Sequence, residues 1–133
     1  MRRRERARRA TRTAGLLAVL LGGAGVTHFL RPRGYDRIVP DALPPRLTTL
    51  ASGVAELGIA AGLVVPASRR AAGWAAAVLF LAVFPANLKM AADLLDSPRS
   101  SRTMRLVSVL RLPLQAPLVA WAVRVGRHAR TGL

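Results

Sequence analysis

The stretch AAGWAAAVLFLAVFPANLKMA, residues 71–91, runs for 21 residues with a single ionisable side chain, Lys89. A helix of about 20 residues, rising 1.5 Å per residue, crosses a hydrocarbon layer about 30 Å thick. A helix of that length on a water-soluble protein keeps one face charged, and this one does not. Three more stretches behave alike: 13–30, 47–66 and 104–123, of 18 to 20 residues with at most two ionisable groups each. The chain therefore reads as all-α, a membrane-embedded four-helix bundle over 13–125, with basic tails at 1–12 and 126–133. Inside the quoted stretch, Pro85, Asn87 and Lys89 fall within five residues. In hydrocarbon a breaker, an amide and a charge need a reason.

Composition narrows the alternatives. No cysteine is present, which removes disulfides, thiol redox pairs and thiolate metal ligands. A net charge of +15 in a soluble protein would point to nucleic acid. Here no aromatic residues interleave with the arginines as a base-stacking surface requires, so no nucleic-acid partner is expected. Cytoplasmic flanks of membrane helices collect Arg and Lys instead. With the N-terminus inside, the 1–12 tail, the 67–70 turn and the C-terminal end after the last apolar stretch (124–133) hold seven, two and three arginines. The opposite side holds Arg31, Arg33, Arg37, Arg46, Arg99 and Arg102, offset by Asp36, Asp41, Asp93 and Asp96. That bias predicts both termini in the cytoplasm and a multi-pass protein of the inner membrane. The start also resembles a secretory signal, but "THFLRPRG" (27–34) is a poor cleavage context, so the first helix is read as retained. The lipid bilayer is the expected partner, each basic residue near an anionic surface contributing about 1 kcal/mol.

Small residues at four-residue spacing are expected to bring the helices together, because lipid provides no hydrophobic drive between them. Candidates are Ala14, Ala18 and Gly22, the pair Gly58 and Gly62, and the pair Gly73 and Ala77. "PASRR" (66–70) forces an antiparallel hairpin. In "RPRGYDRIVPDALPPR" (31–46), Pro32, Pro40, Pro44 and Pro45 argue against regular helix. Tyr35, Ile38 and Val39 within it suit a segment lying on the bundle mouth.

Polar groups at membrane depth usually face the bundle interior. Counting along the spans puts His28, Asn87, Arg111 and Gln115 in the outer half and Glu56 about midway. Ser108, Arg111 and Gln115 share one face of the last span, as Ser52 and Glu56 do on the second. Phe80, Phe84 and Asn87 form a stripe. Lys89 lies about 200° away from Asn87 at about 100° per residue, so it is expected to point outward and snorkel. Pro85 leaves the Leu81 carbonyl without its helical donor, Pro113 that of Val109, and Pro117 that of Pro113. The amides of Asn87 and Gln115 lie two residues after prolines and are placed to supply donors. The five polar residues His28, Glu56, Asn87, Arg111 and Gln115 thus form the candidate site. The bland alternative is a Glu56–Arg111 ion pair fixing register, with the two amides as interhelical hydrogen bonders. His128 is read as tail.

"GVTHFLRPRGYDRIVP", "LASGVAELGIAAGLVVPASRRAAGW", "AVFPANLKMAADL" and "LRLPLQAPLVAWA", in this order, resemble the DoxX-like family of small bacterial membrane proteins over about residues 15–123. The resemblance marks His28, Glu56, Asn87, Arg111 and Gln115, and leaves Lys89 free. It implies a four-span fold and, through the subunit that gives the family its name, a link to quinone-dependent redox chemistry. The expected role is a module binding an apolar or quinone-like molecule, or an accessory subunit of a redox system. Two other classes stay open: a small proton-coupled transporter built on Glu56, and a purely structural or assembly protein. No nucleophile with its base, metal set or phosphate cradle suggests stand-alone catalysis.

Overall fold

A computed structural model describes residues 2–130. Six helices follow in order: α1 (Arg2–Leu30), the short α2 (Pro32–Asp36), α3 (Pro45–Val64), α4 (Arg69–Ala82), α5 (Phe84–Asp96) and α6 (Arg102–His128). No strand occurs among the described residues. α4 and α5 are two halves of one rod broken at Val83, so four helices are long and apolar enough to cross a membrane. α1 packs most extensively on α3, and α4 on α6; the α3–α4, α5–α6 and α1–α6 contacts close the ring. α3 and α6 stand diagonally across the bundle.

The interior is built from small side chains. Ala10, Ala14, Ala76 and Ala122 are wholly buried, joined by Leu17, Leu21, Leu63 and Val125. The larger apolar residues face outward: Val19 is 77% exposed, Leu30 72% and Val78 66%. This inverts the pattern of a bundle in water, where Leu and Val fill the core.

Close approach comes at glycines, and only some are those the spacing singled out. A Cβ on Gly73 would lie 2.6 Å from the Gly126 backbone nitrogen, so α4 and α6 touch backbone to backbone. At the α1–α3 crossing the decisive residue is Gly53, where a Cβ would meet Phe29 Cε2 at 2.8 Å and His28 Cβ at 2.9 Å. Gly62 is tight against Ala72, whereas Gly58 faces open space, with nothing within 4 Å of its virtual Cβ.

The 1–12 segment is helical from Arg2, and α6 runs to His128, so the basic flanks continue the rods. Residues 131–133 of the predicted C-terminal tail lie outside the described residues. The α1–α3 connection differs from expectation: Pro32 starts a helical turn at N1, where its missing N–H costs nothing. Arg46 Nε donates to Asp36 Oδ2 at 2.9 Å and ties this connection to the start of α3. At the other end of the bundle, Arg69 donates to the carbonyls of Leu63 and Val64 at 2.8 Å each, satisfying the last turn of α3.

Candidate functional site

The interhelical space contains a cavity of about 440 Å³ whose walls include His28, Glu56, Asn87, Arg111 and Gln115. All five residues singled out in the sequence therefore face one space, from α1, α3, α5 and α6. Leu20, Leu21, Leu79, Phe80, Leu114 and Leu118 supply apolar wall. Tyr35, Ile38, Val39 and Pro40 of the α1–α3 connection line it as well, and Val39 is 6% exposed. That segment lies on the bundle mouth as its apolar residues suggested.

On one side of the cavity, His28 Nδ1 donates to the Ala24 carbonyl at 2.7 Å; the carbonyl can only accept, which assigns the proton. Glu56 Oε2 lies 3.0 Å from the same nitrogen, with both side chains about nine-tenths buried. One N–H cannot serve two acceptors well, and Glu56 Oε2 is left buried without a hydrogen-bond partner. The Tyr35 ring stacks on the imidazole, centroids 3.6 Å apart and planes at 19°. Its hydroxyl is 2.6 Å from Thr27 Oγ1, which holds the ring in place.

On the other side, Asn87 Nδ2 donates to Gln115 Oε1 at 3.2 Å, and Gln115 Nε2 donates to the Phe80 carbonyl. The break at Val83 explains that acceptor. The Asn87 amide bonds back to Val83 and the Val83 amide to Leu79, but the Phe80 carbonyl receives no helical donor across the break. The α6 amide fills the role. The expected amide donor to the Leu81 carbonyl is not seen; because the backbone turns at Val83, the Gln115 amide serves the Phe80 carbonyl instead. Pro113 and Pro117 leave α6 unbroken.

Two expectations are overturned. Glu56 does not pair with Arg111: the two stand on diagonal helices with the cavity between them, and His28, on the neighbouring α1, takes the place beside the carboxylate. Arg111 is exposed, and its Nη1 reaches only the Met90 sulfur at 3.9 Å. Lys89 does not snorkel to solvent. Its ammonium donates to the Val39 carbonyl at 2.9 Å and to Asp41 Oδ1 at 3.0 Å, pinning the connection that covers the cavity. Facing arguments place Lys89 away from Asn87 correctly but cannot foresee a loop arriving from 50 residues away to meet it.

Thr49 lines the cavity with no sequence signal to single it out, beside Ser52, which shares the Glu56 face, and Tyr35 of the mouth segment. Asp36, just outside the cavity, has its carboxyl held below the ordinary aspartate range by Thr49 first and then by Arg46. The Arg46 contact has full hydrogen-bond geometry; Thr49 Oγ1 and Asp36 Oδ1 remain without such a partner. Among the described residues, no three His, Asp or Glu side chains converge as a metal site requires.

Searches of curated proteins and of solved structures returned no match. One family model, described as "Domain of unknown function (DUF8561)", matches residues 17–126. That range takes in all five cavity-lining polar residues and runs from the fifth turn of α1 to two residues short of the end of α6. The match covers well over half of the 133 residues, and the chain therefore belongs to the DUF8561 family.

Proposed function

We propose that this is an integral protein of the cytoplasmic membrane, with both termini inside, that holds a small, mostly apolar molecule bearing hydrogen-bonding oxygens, a quinone-like ligand being the best fit. Several features support the membrane setting. Four rods are long enough to span, large apolar side chains point outward, and the basic residues concentrate at one end. The observation that carries the ligand reading is the cavity: apolar walls, a buried carboxylate oxygen with His28 beside it but no hydrogen-bond partner, and amide groups on the far side. A dry apolar cavity would need none of these, and a merely structural cluster would satisfy its own atoms. The DoxX-like resemblance of the four quoted segments agrees with a quinone-linked accessory role.

The test is mass spectrometry of small molecules extracted from the purified protein, wild type beside Glu56→Gln and Arg111→Ala. The expected result is a retained apolar compound whose occupancy falls in both variants. Repeated extraction with no such compound, or equal retention in all three, refutes the reading.

A second reading gains from the same geometry. A carboxylate clamped by arginine stays ionised, but the neighbour of Glu56 is an imidazole, which can give up or take a proton. Proton-coupled transport through the cavity is therefore the alternative. Proton-driven uptake in proteoliposomes that disappears in Glu56→Gln would favour it over simple retention.

A further inference from the structure

The end of the bundle opposite the covered mouth carries a second feature. α1 stays helical down to Arg2, with Ala7 and Ala10 buried, and α6 continues to His128 beside it with Ala129 buried. Packing of these small residues brings two basic flanks side by side. The result is a cleft of about 230 Å³ walled by Arg6 and Arg9 of α1 and Arg124 and His128 of α6. Glu5 pairs with Arg9 at 2.6 Å, but among the described residues neither Arg6 nor Arg124 has an ion pair. Cations converge here from two helices at a cost in mutual repulsion that a loose tail would avoid.

We infer that this cleft binds the phosphate of an anionic lipid headgroup. Guanidinium forks match phosphate oxygens in charge and in two-point geometry, and basic pockets between helix ends are the setting in which acidic headgroups are held. The depth of the cleft selects a lipid over a soluble phosphate. Both tryptophans of the chain, Trp74 and Trp121, lie at this end and are partly exposed, and the Trp74 ring packs on Gly126, two residues from Arg124. Tryptophan marks the membrane–water interface, so the arginines one turn further along α6, and those facing them on α1, stand at headgroup level. The inference rests on the membrane setting proposed above and is independent of the cavity ligand.

Native mass spectrometry of the detergent-purified full chain with added phosphatidylglycerol or phosphatidylcholine tests it. The variants are Arg6→Ala with Arg124→Ala, and, as an equal loss of charge at the other end, Arg33→Ala with Arg37→Ala. The expected result is preferential phosphatidylglycerol binding to wild type and the second pair, weakened at least tenfold in the first pair. Equal weakening in both pairs overturns the site, because it reports net charge alone. Inorganic phosphate binding as tightly as the lipid overturns the assignment to a headgroup. Failure of the membrane setting shows separately, as protein recovered in the aqueous fraction without detergent.

Discussion

Replacing Gly73 and Gly58 by alanine is expected to move stability in opposite directions, although both glycines sit in apolar helices at small-residue spacing. At Gly73 the new methyl would lie 2.6 Å from the Gly126 nitrogen and 2.9 Å from Val125 Cγ1. An ordinary contact needs about 3.4–4 Å, and the nearest atom is backbone, which cannot rotate aside. α4 and α6 must therefore separate by about 1 Å along one of the bundle's two largest contacts. Overpacking of that kind costs about 1–3 kcal/mol, reduced by the helix-propensity gain of about 0.5–1 kcal/mol from glycine to alanine. The net loss is about 0–2.5 kcal/mol. At Gly58 nothing lies within 4 Å of the new methyl, so only the gain remains. The two variants should differ by about 1–3 kcal/mol, read as midpoints of unfolding in a graded mixture of denaturing and mild detergent. Two changes of the same sign, or a stabilised Gly73→Ala, would refute the packing argument.

Three further outcomes follow from the same contacts. A double-mutant cycle of Asn87→Leu and Gln115→Leu should give a coupling of about 0.6 kcal/mol, the usual size for one interhelical hydrogen bond in a membrane protein; additivity within error would mean the 3.2 Å contact does not form. Lys89→Ala removes the donor to Val39 and Asp41, so amide exchange over residues 38–43 should quicken while the unfolding midpoint hardly moves, since the pair is partly exposed; unchanged exchange would show that apolar contacts alone hold the segment. Because the Asp36 carboxyl titrates below its ordinary value of 3.8, its contribution is fully present above that pH and is lost as pH falls through the lowered value. Exchange protection of residues 31–46 should therefore be flat from neutral pH to about 4 and drop only in stronger acid, a drop that Asp36→Asn abolishes; protection already lost near neutral pH would contradict this.

Four rods, their approximate limits and the five polar side chains that share a space were all legible from the order of residues. Hydropathy over about 20 residues reports the solvent a helix tolerates. The 3.6-residue period reports which side chains share a face: it set Lys89 apart from Asn87, and Phe80 and Asn87 both line the cavity, whereas Phe84 leaves the stripe because the rod breaks at Val83. Proline without an N–H announced that a carbonyl near residue 81 would need a donor from elsewhere. Each of these properties belongs to one helix.

Pairing belongs to two helices, and only the assembled bundle decides it. Glu56 meets His28 because α1, and not α6, is the neighbour of α3, a choice that no period within α3 encodes. Gly53 and Gly126 are contact points and Gly58 is not, because crossing position depends on the rotation of both partners. Lys89 finds Val39 and Asp41 because the α1–α3 connection folds across the mouth. The basic flanks became a cleft because Ala7, Ala10 and Ala129 let α1 and α6 run on together beyond the apolar spans. A one-dimensional pattern carries the angle of each side chain about its own axis; the distance between two axes is a property of their packing.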